Sequence, residues 1–193
     1  MLSKMALTMS QTLFPMILFM LISSTISITN AEYATKGDFE FKQYEEEKKT
    51  HLHFYFHDIV SGPNPTAVQV VSSKLTMLTS FGTVVMIDDL LTEGPDQGSK
   101  LIGRAQGTYS FASKEDVGLQ MVLNYVFVDG EYDGSSLAML GRNSVLSDVR
   151  EMAIVGGTRV FRFARGYALA KTYQFNLITG DAIVEYDVFV VHN

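Results

Sequence analysis

The chain of 193 residues contains no cysteine, no tryptophan and only 4 prolines. Without cysteine it has no disulfide framework, no thiolate metal site and no thiol nucleophile. Its 15 basic residues are outnumbered by 21 acidic ones and form no cluster, so neither nucleic acid nor an anionic membrane is an expected partner. No G-x-S-x-G elbow or P-loop is present, and the glycines of Gly103–Gly107 and Gly156-Gly157 precede strand-like pattern rather than helix. Asn64-Pro65-Thr66 fails as a glycosylation site because proline occupies its centre. No segment sustains a 3.6-residue apolar period, which argues against a helical bundle or a βαβ sheet.

What is present begins with an apolar run, Leu13–Ile22, preceded by Lys4 and followed by small and polar residues up to Ala31. The run is too short to span a bilayer, and residues 1–31 read as a signal peptide cleaved after Ala31. A secreted, extracellular protein is therefore expected. Residues 32–50, ending in the charged Glu45–Lys49, read as a polar N-terminal arm. The remaining residues 51–193 suffice for one domain with a substantial core.

From His51 onward, short β-rich runs alternate with turn signals. Strands are expected at His51–Val60, Ala67–Ser72, Thr83–Leu91, Lys100–Ser110, Leu119–Val128, Ser135–Leu140, Glu151–Val155, Tyr167–Phe175 and Ala182–His192. The breakers between them, among them Gly62-Pro63, Gly94-Pro95, Asp133-Gly134, Gly156-Gly157 and Gly180-Asp181, favour hairpins. Glycines within strand pattern at Gly103, Gly107 and Gly118 suit a sheet that curls closed. The expected fold is all-β, an antiparallel barrel of about eight strands with a ligand pocket in its lumen.

The stretch HLHFYFHD at His51–Asp58 has two faces. Period-two alternation puts His51, His53, Tyr55 and His57 on one and Leu52, Phe54, Phe56 and Asp58 on the other. H-x-H on a strand is a metal-ligating spacing, used by cupin-type barrels with a following glutamate and a distant histidine. Here His57 and Asp58 stand where the glutamate belongs, and the one remaining histidine is His192. No metal is expected, and the histidines read as outward-facing residues. On the opposite face, Asp58 ends an apolar row, where partial desolvation raises a carboxyl's pKa and suits it to proton exchange. The competing reading is a strand-end aspartate that caps the next turn.

The runs HFYFHDIVSG, VVMIDDLLTEGP, GRAQGTYSF and GGTRVFRFARGYALAKT together resemble plant dirigent proteins, in order and without large gaps from His51 to the C-terminus. The likeness is greater to the non-lignan branch, including pterocarpan-synthase types, than to the lignan-forming branch. The resemblance implies an eight-stranded antiparallel barrel, usually trimeric, secreted to the cell wall, with a phenolic-binding lumen. It makes Asp58 and Arg150 the expected catalytic pair. Tyr109, Phe111, Asn143 and Thr172, with Phe56, become the expected substrate-binding residues, although core packing is an equal account of Tyr109 and the preferred one for Phe56 and Phe111. Lignan-forming members carry a tyrosine where this chain has Phe111 and a second aspartate where it has Asn143, so one acid is expected here.

The implied function is to bind phenolic radicals or quinone methides and impose stereochemistry on their coupling or ring closure in phenylpropanoid metabolism. No cofactor is expected. Radicals would come from a separate oxidase, a laccase or peroxidase, because the sequence offers no redox centre. One alternative is a pterocarpan-synthase-type dehydratase acting on a 2′-hydroxyisoflavanol. Another is a non-catalytic protein of the cell wall that organises lignin deposition or binds carbohydrate. Whether the chain is an enzyme in its own right stays open between these.

Overall fold

The computed structural model describes residues 47–73 and 79–193. The expected signal peptide, and the expected arm up to residue 46, lie outside them. Nine strands follow one another: β1 Lys48–Asp58, β2 Ala67–Val71, β3 Val84–Thr92, β4 Leu101–Phe111, β5 Gly118–Phe127, β6 Ser136–Ser144, β7 Arg150–Thr158, β8 Arg165–Phe175 and β9 Ala182–His192. Single 3-10 turns at Gly130–Tyr132 and Arg159–Phe161 are the only helical elements among the described residues.

Eight strands close into an antiparallel barrel in the order β1-β9-β8-β7-β6-β5-β4-β3, with β3 returning to β1. The ninth, β2, lies on the outer edge of β3. Closure removes the exposed sheet edges that an open sheet of this size would carry. The junction is a fork: the first half of β3 pairs with β2, as in Ala67↔Ile87, and the second half pairs with β1, as in Phe56↔Leu91.

Period-two alternation sets the core. Along β1, Phe54 and Phe56 are buried and in phase with Leu52 and Asp58, while His51 and His53 face outward. The outward pair bonds β9, His51 Nε2 to Asp187 Oδ1 at 2.7 Å and His53 Nε2 to Glu185 Oε1 at 3.0 Å. His57 departs from the outward-facing expectation, because it is fully buried beside the fork, where its Nε2 meets Thr92 Oγ1 at 2.7 Å. Burial lowers its pKa, so it is held as a neutral packing residue.

Strand bounds differ from expectation by up to four residues, most at β1, β6 and β7. Strand β1 takes in Lys48–Thr50, which full pairing with Val190–His192 draws out of the arm. Strand β6 runs on to Ser144. Gly156-Gly157, expected as a breaker, lies inside β7, where a Cβ on Gly157 would come within 2.5 Å of the Phe161 carbonyl oxygen. Glycine serves close approach there rather than a turn. The same holds at Gly107 in β4, where a Cβ would sit 2.2 Å from the Val122 carbonyl oxygen.

The two ends of the barrel differ in chemistry. One is stoppered by aromatic rings: Phe161 packs on Tyr132 at 5.0 Å, on His192 at 5.1 Å and on Phe127 at 5.6 Å. A middle layer of Phe54, Tyr125 and Tyr186 has ring centroids 5.1–5.8 Å apart. The other end, where β1, β4, β6 and β8 finish, carries Asp58, Asp89, Asn143 and Arg150.

Candidate functional site

Two polar groups project into this open end from opposite walls. The first stands on β6, β7 and β8. Arg150 opens β7 and is only 4% exposed, and its guanidinium donates from Nε to Asn143 Oδ1 at 3.2 Å and from Nη1 to Thr172 Oγ1 at 2.9 Å. Neither Asp148 nor Glu151, its sequence neighbours, forms an ion pair with it among the described residues. Alternation turns Glu151 outward, and the side-chain partners of Arg150 among the described residues are neutral. Burial draws the Arg150 pKa down from its usual value without a carboxylate to offset it. A desolvated cation held by neutral acceptors is a seat for an oxyanion.

The second group stands on β1, β3 and β4. Asp58 ends β1, and burial pushes its carboxyl from 3.8 up to about 6, although a hydrogen bond donated by the Tyr109 hydroxyl works in the opposite direction. Tyr109, buried on β4, has its own pKa raised, first by burial and then by the nearby Asp58 and Asp89. Asp89 is a second acid that the sequence reading lacked. It lies on β3, is fully buried, and accepts a hydrogen bond from the Thr66 hydroxyl. Burial and then the charge of Asp58 carry its carboxyl to about 8.

Asn143, where lignan-forming members carry their second aspartate, lies across the barrel, and its side chain orders Arg150. The signal for Asp89 was available: in VVMIDDLLT it is in phase with Val85, Ile87 and Leu91, all buried, whereas Asp88 points outward to Arg104. Tyr186 on β9 was also overlooked. Its fully buried phenol sits between the two groups, pushed up to about 12 by burial while Arg150 pulls it down and Asp58 and Asp89 push it up.

Phe56 and Phe111 divide. Phe56 is 3% exposed and packs on Tyr186 at 5.8 Å, so it belongs to the floor. Phe111 lies on the wall of a cavity of about 470 Å³ at the open end, together with Tyr109, Val85, Thr83, Ala67 and Val60. This volume falls in the range of pockets for small organic ligands. Tyr109 thus presents its ring to the cavity and its hydroxyl to Asp58. No group of three or more metal-ligating side chains occurs among the described residues.

The family model for Dirigent-like protein matches residues 49–191. The chain belongs to the dirigent family. Among curated dirigent relatives, pterocarpan synthase 1 of Glycyrrhiza echinata is 53% identical over 86% of this chain and 90% of its own length. Dirigent protein 21 of Arabidopsis thaliana is 49% identical, with 93% and 96% covered. A solved pterocarpan synthase dirigent protein superposes with a TM-score of 0.74 at 56% identity, covering 78% of this chain and 88% of that one. The dirigent barrel expected from the sequence is therefore the fold observed.

Proposed function

We propose that this dirigent protein binds phenolic quinone methides or radicals in the open end of its barrel and imposes stereochemistry on their coupling or ring closure. The observation that carries this reading is the buried Arg150, without a carboxylate partner among the described residues, at the same end of the barrel as Asp58 and a cavity walled by Tyr109 and Phe111. A quinone methide forms when a phenol loses its proton and a benzylic hydroxyl departs as water. Arg150 receives the developing negative charge on the phenolic oxygen, while Asp58 exchanges the proton, with Tyr109 as a hydrogen-bond donor. Substrate rings stack on Phe111 and Tyr109.

A second reading, an isoflavanol dehydratase of the pterocarpan-synthase type, is favoured by relatives and solved structures that carry that name, among them the Glycyrrhiza echinata protein and the superposed structure. In it the substrate's own 2′-hydroxyl adds to the quinone methide carbon, closing the ring, and the phenolic oxygen regains a proton. If instead the substrate is a radical, a separate laccase or peroxidase supplies it. Incubation with a 2′-hydroxyisoflavanol, and separately with coniferyl alcohol plus a one-electron oxidant, followed by chiral chromatography, distinguishes the two. Racemic product in both arms at saturating protein would refute both and leave a non-catalytic role in the cell wall.

The setting proposed is the apoplast, after removal of residues 1–31, with a part in plant defence or lignan-type metabolism and assembly as a homotrimer. The outer surface supports assembly. Val68, Met86, Thr108, Val122, Leu140 and Ala153 are joined in register across β2 to β7, and the four large apolar members are exposed. A second copy of the chain would remove this apolar band from water.

A further inference from the structure

The fork in the barrel brings together two buried acids that the reaction outlined above uses unequally. Three consecutive pairs join β1 to β3, Tyr55↔Thr92, Phe56↔Leu91 and His57↔Leu90, and at the next step, where the pairing ends and Thr66 enters, Asp58 stands on β1 and Asp89 on β3. Both then face the lumen, since they are in phase with Phe56 and Leu91. It is also the point where β3 leaves β1 for β2. There Thr66 donates its hydroxyl to Asp89, and its backbone N–H bonds the Ile59 carbonyl at 2.8 Å. The loop between β1 and β2 is thus tied back onto the acids.

Each carboxyl retains one buried oxygen without a hydrogen-bond partner, Oδ1 of Asp58 and Oδ2 of Asp89. Unpartnered buried acceptors are rare and costly. A proton retained by one of the two carboxyls turns one of these oxygens from an unmatched acceptor into a donor. It also removes one of two like charges that would otherwise be confined in a desolvated pocket.

We propose that Asp58 and Asp89 form one proton-sharing acid pair, in which Asp89 is a positioning residue that retains the proton and leaves Asp58 as the group that meets substrate. Asp89 has no exposed surface, so it acts through Asp58. The other groups facing the pair are Tyr109 from β4, Tyr186 from β9, Thr66 from the connecting loop and Asp181 from the turn before β9, with Asp88 and Arg104 acting from the outer face. None is a cation inside the lumen at this wall, so nothing there neutralises a second carboxylate. The pair then carries one negative charge through the range between about 6 and about 8, the values to which Asp58 and Asp89 are raised. Within that window Asp58 is an ionised base beside a neutral Asp89, which is the state that removal of the phenolic proton requires.

This inference rests on Asp58 as the proton-exchanging group, and its test separates the two claims. Titration of the aspartate side-chain carboxyls by ¹³C NMR in the ligand-free protein needs no reaction. Two well-separated steps are expected in the wild type. In Asp58→Asn, Asp89 should ionise at least tenfold more readily, because the opposing charge is gone. In Asp89→Asn the upper step should vanish. Asparagine keeps the acceptor for Thr66 and mimics the neutral acid, so with a turned-over phenolic substrate this variant should lose the alkaline fall in kcat/KM. Independent titration of Asp89 in wild type and Asp58→Asn would overturn the pair, as would an unchanged alkaline limb in a folded Asp89→Asn protein. Coupled titration without turnover of any phenolic would instead uphold the pair and refute the proposed reaction.

Discussion

Replacing Asp58 by asparagine is expected to separate stability from function, moving them in opposite directions. In the folded protein the carboxyl is raised from 3.8 to about 6 by burial, so folding holds a proton that the unfolded chain releases between these values. Below 3.8 both states are protonated and the group is neutral toward stability. As pH rises through the window the folded state loses stability, and above about 6 the loss is complete. At about 1.4 kcal/mol per tenfold, the ionised carboxyl works against folding by up to about 3 kcal/mol at neutral pH. Asparagine removes that term and keeps the size of the side chain.

The Asp58→Asn variant should therefore melt at about the wild-type temperature at pH 4. At pH 7.5 it should melt several degrees higher, at about 2–4 °C per kcal/mol for a domain of this size. Its rate or enantiomeric excess should meanwhile fall by roughly 10²-fold, the scale of general acid–base catalysis. Paired thermal melts at the two pH values, beside chiral analysis of product, make the measurement. If Asp58 only capped the turn after β1, asparagine would serve as well and selectivity would be unchanged. A folded variant with wild-type selectivity, or one destabilised equally at both pH values, would refute the reasoning.

Arg150→Lys should impair selectivity by at least about tenfold, since one flexible ammonium cannot hold Asn143 and Thr172 in the planar geometry of the guanidinium fork; competition with the wild type by enantiomeric excess measures it. Chelators, and the double substitution His51→Ala with His53→Ala, should leave activity within about twofold, because these rings serve Asp187 and Glu185 on the outer surface; stoichiometric metal lost together with activity would count against this. Leu140→Glu on the exposed apolar band should lower the oligomeric state in sedimentation velocity without changing the fold. Secreted material should begin near Glu32 by intact mass and melt alike with and without reductant, as a chain lacking cysteine must.

Much of the architecture was legible in the order of residues because strand parity is local. Alternation over His51–Asp58 placed Phe54, Phe56 and Asp58 on one face without knowledge of any neighbour, and glycine-rich punctuation located all nine strands to within a few residues. The same parity marks Asp89 as inward, in phase with Val85, Ile87 and Leu91. Which walls face one another is not a local property. Only closure of the sheet brings β3 against β1 and makes two acids, separated by 31 positions in the chain, neighbours at a fork. Pairing of β7 between β6 and β8 sets Arg150 between Asn143 and Thr172 rather than beside Asp148 or Glu151. His57 shows the limit most plainly: its parity is outward, yet packing beside the fork buries it completely. The sequence by itself determined the barrel and the face that each side chain takes. Tertiary structure alone decided which charges meet, because registry and closure depend on contacts between strands far apart in the chain.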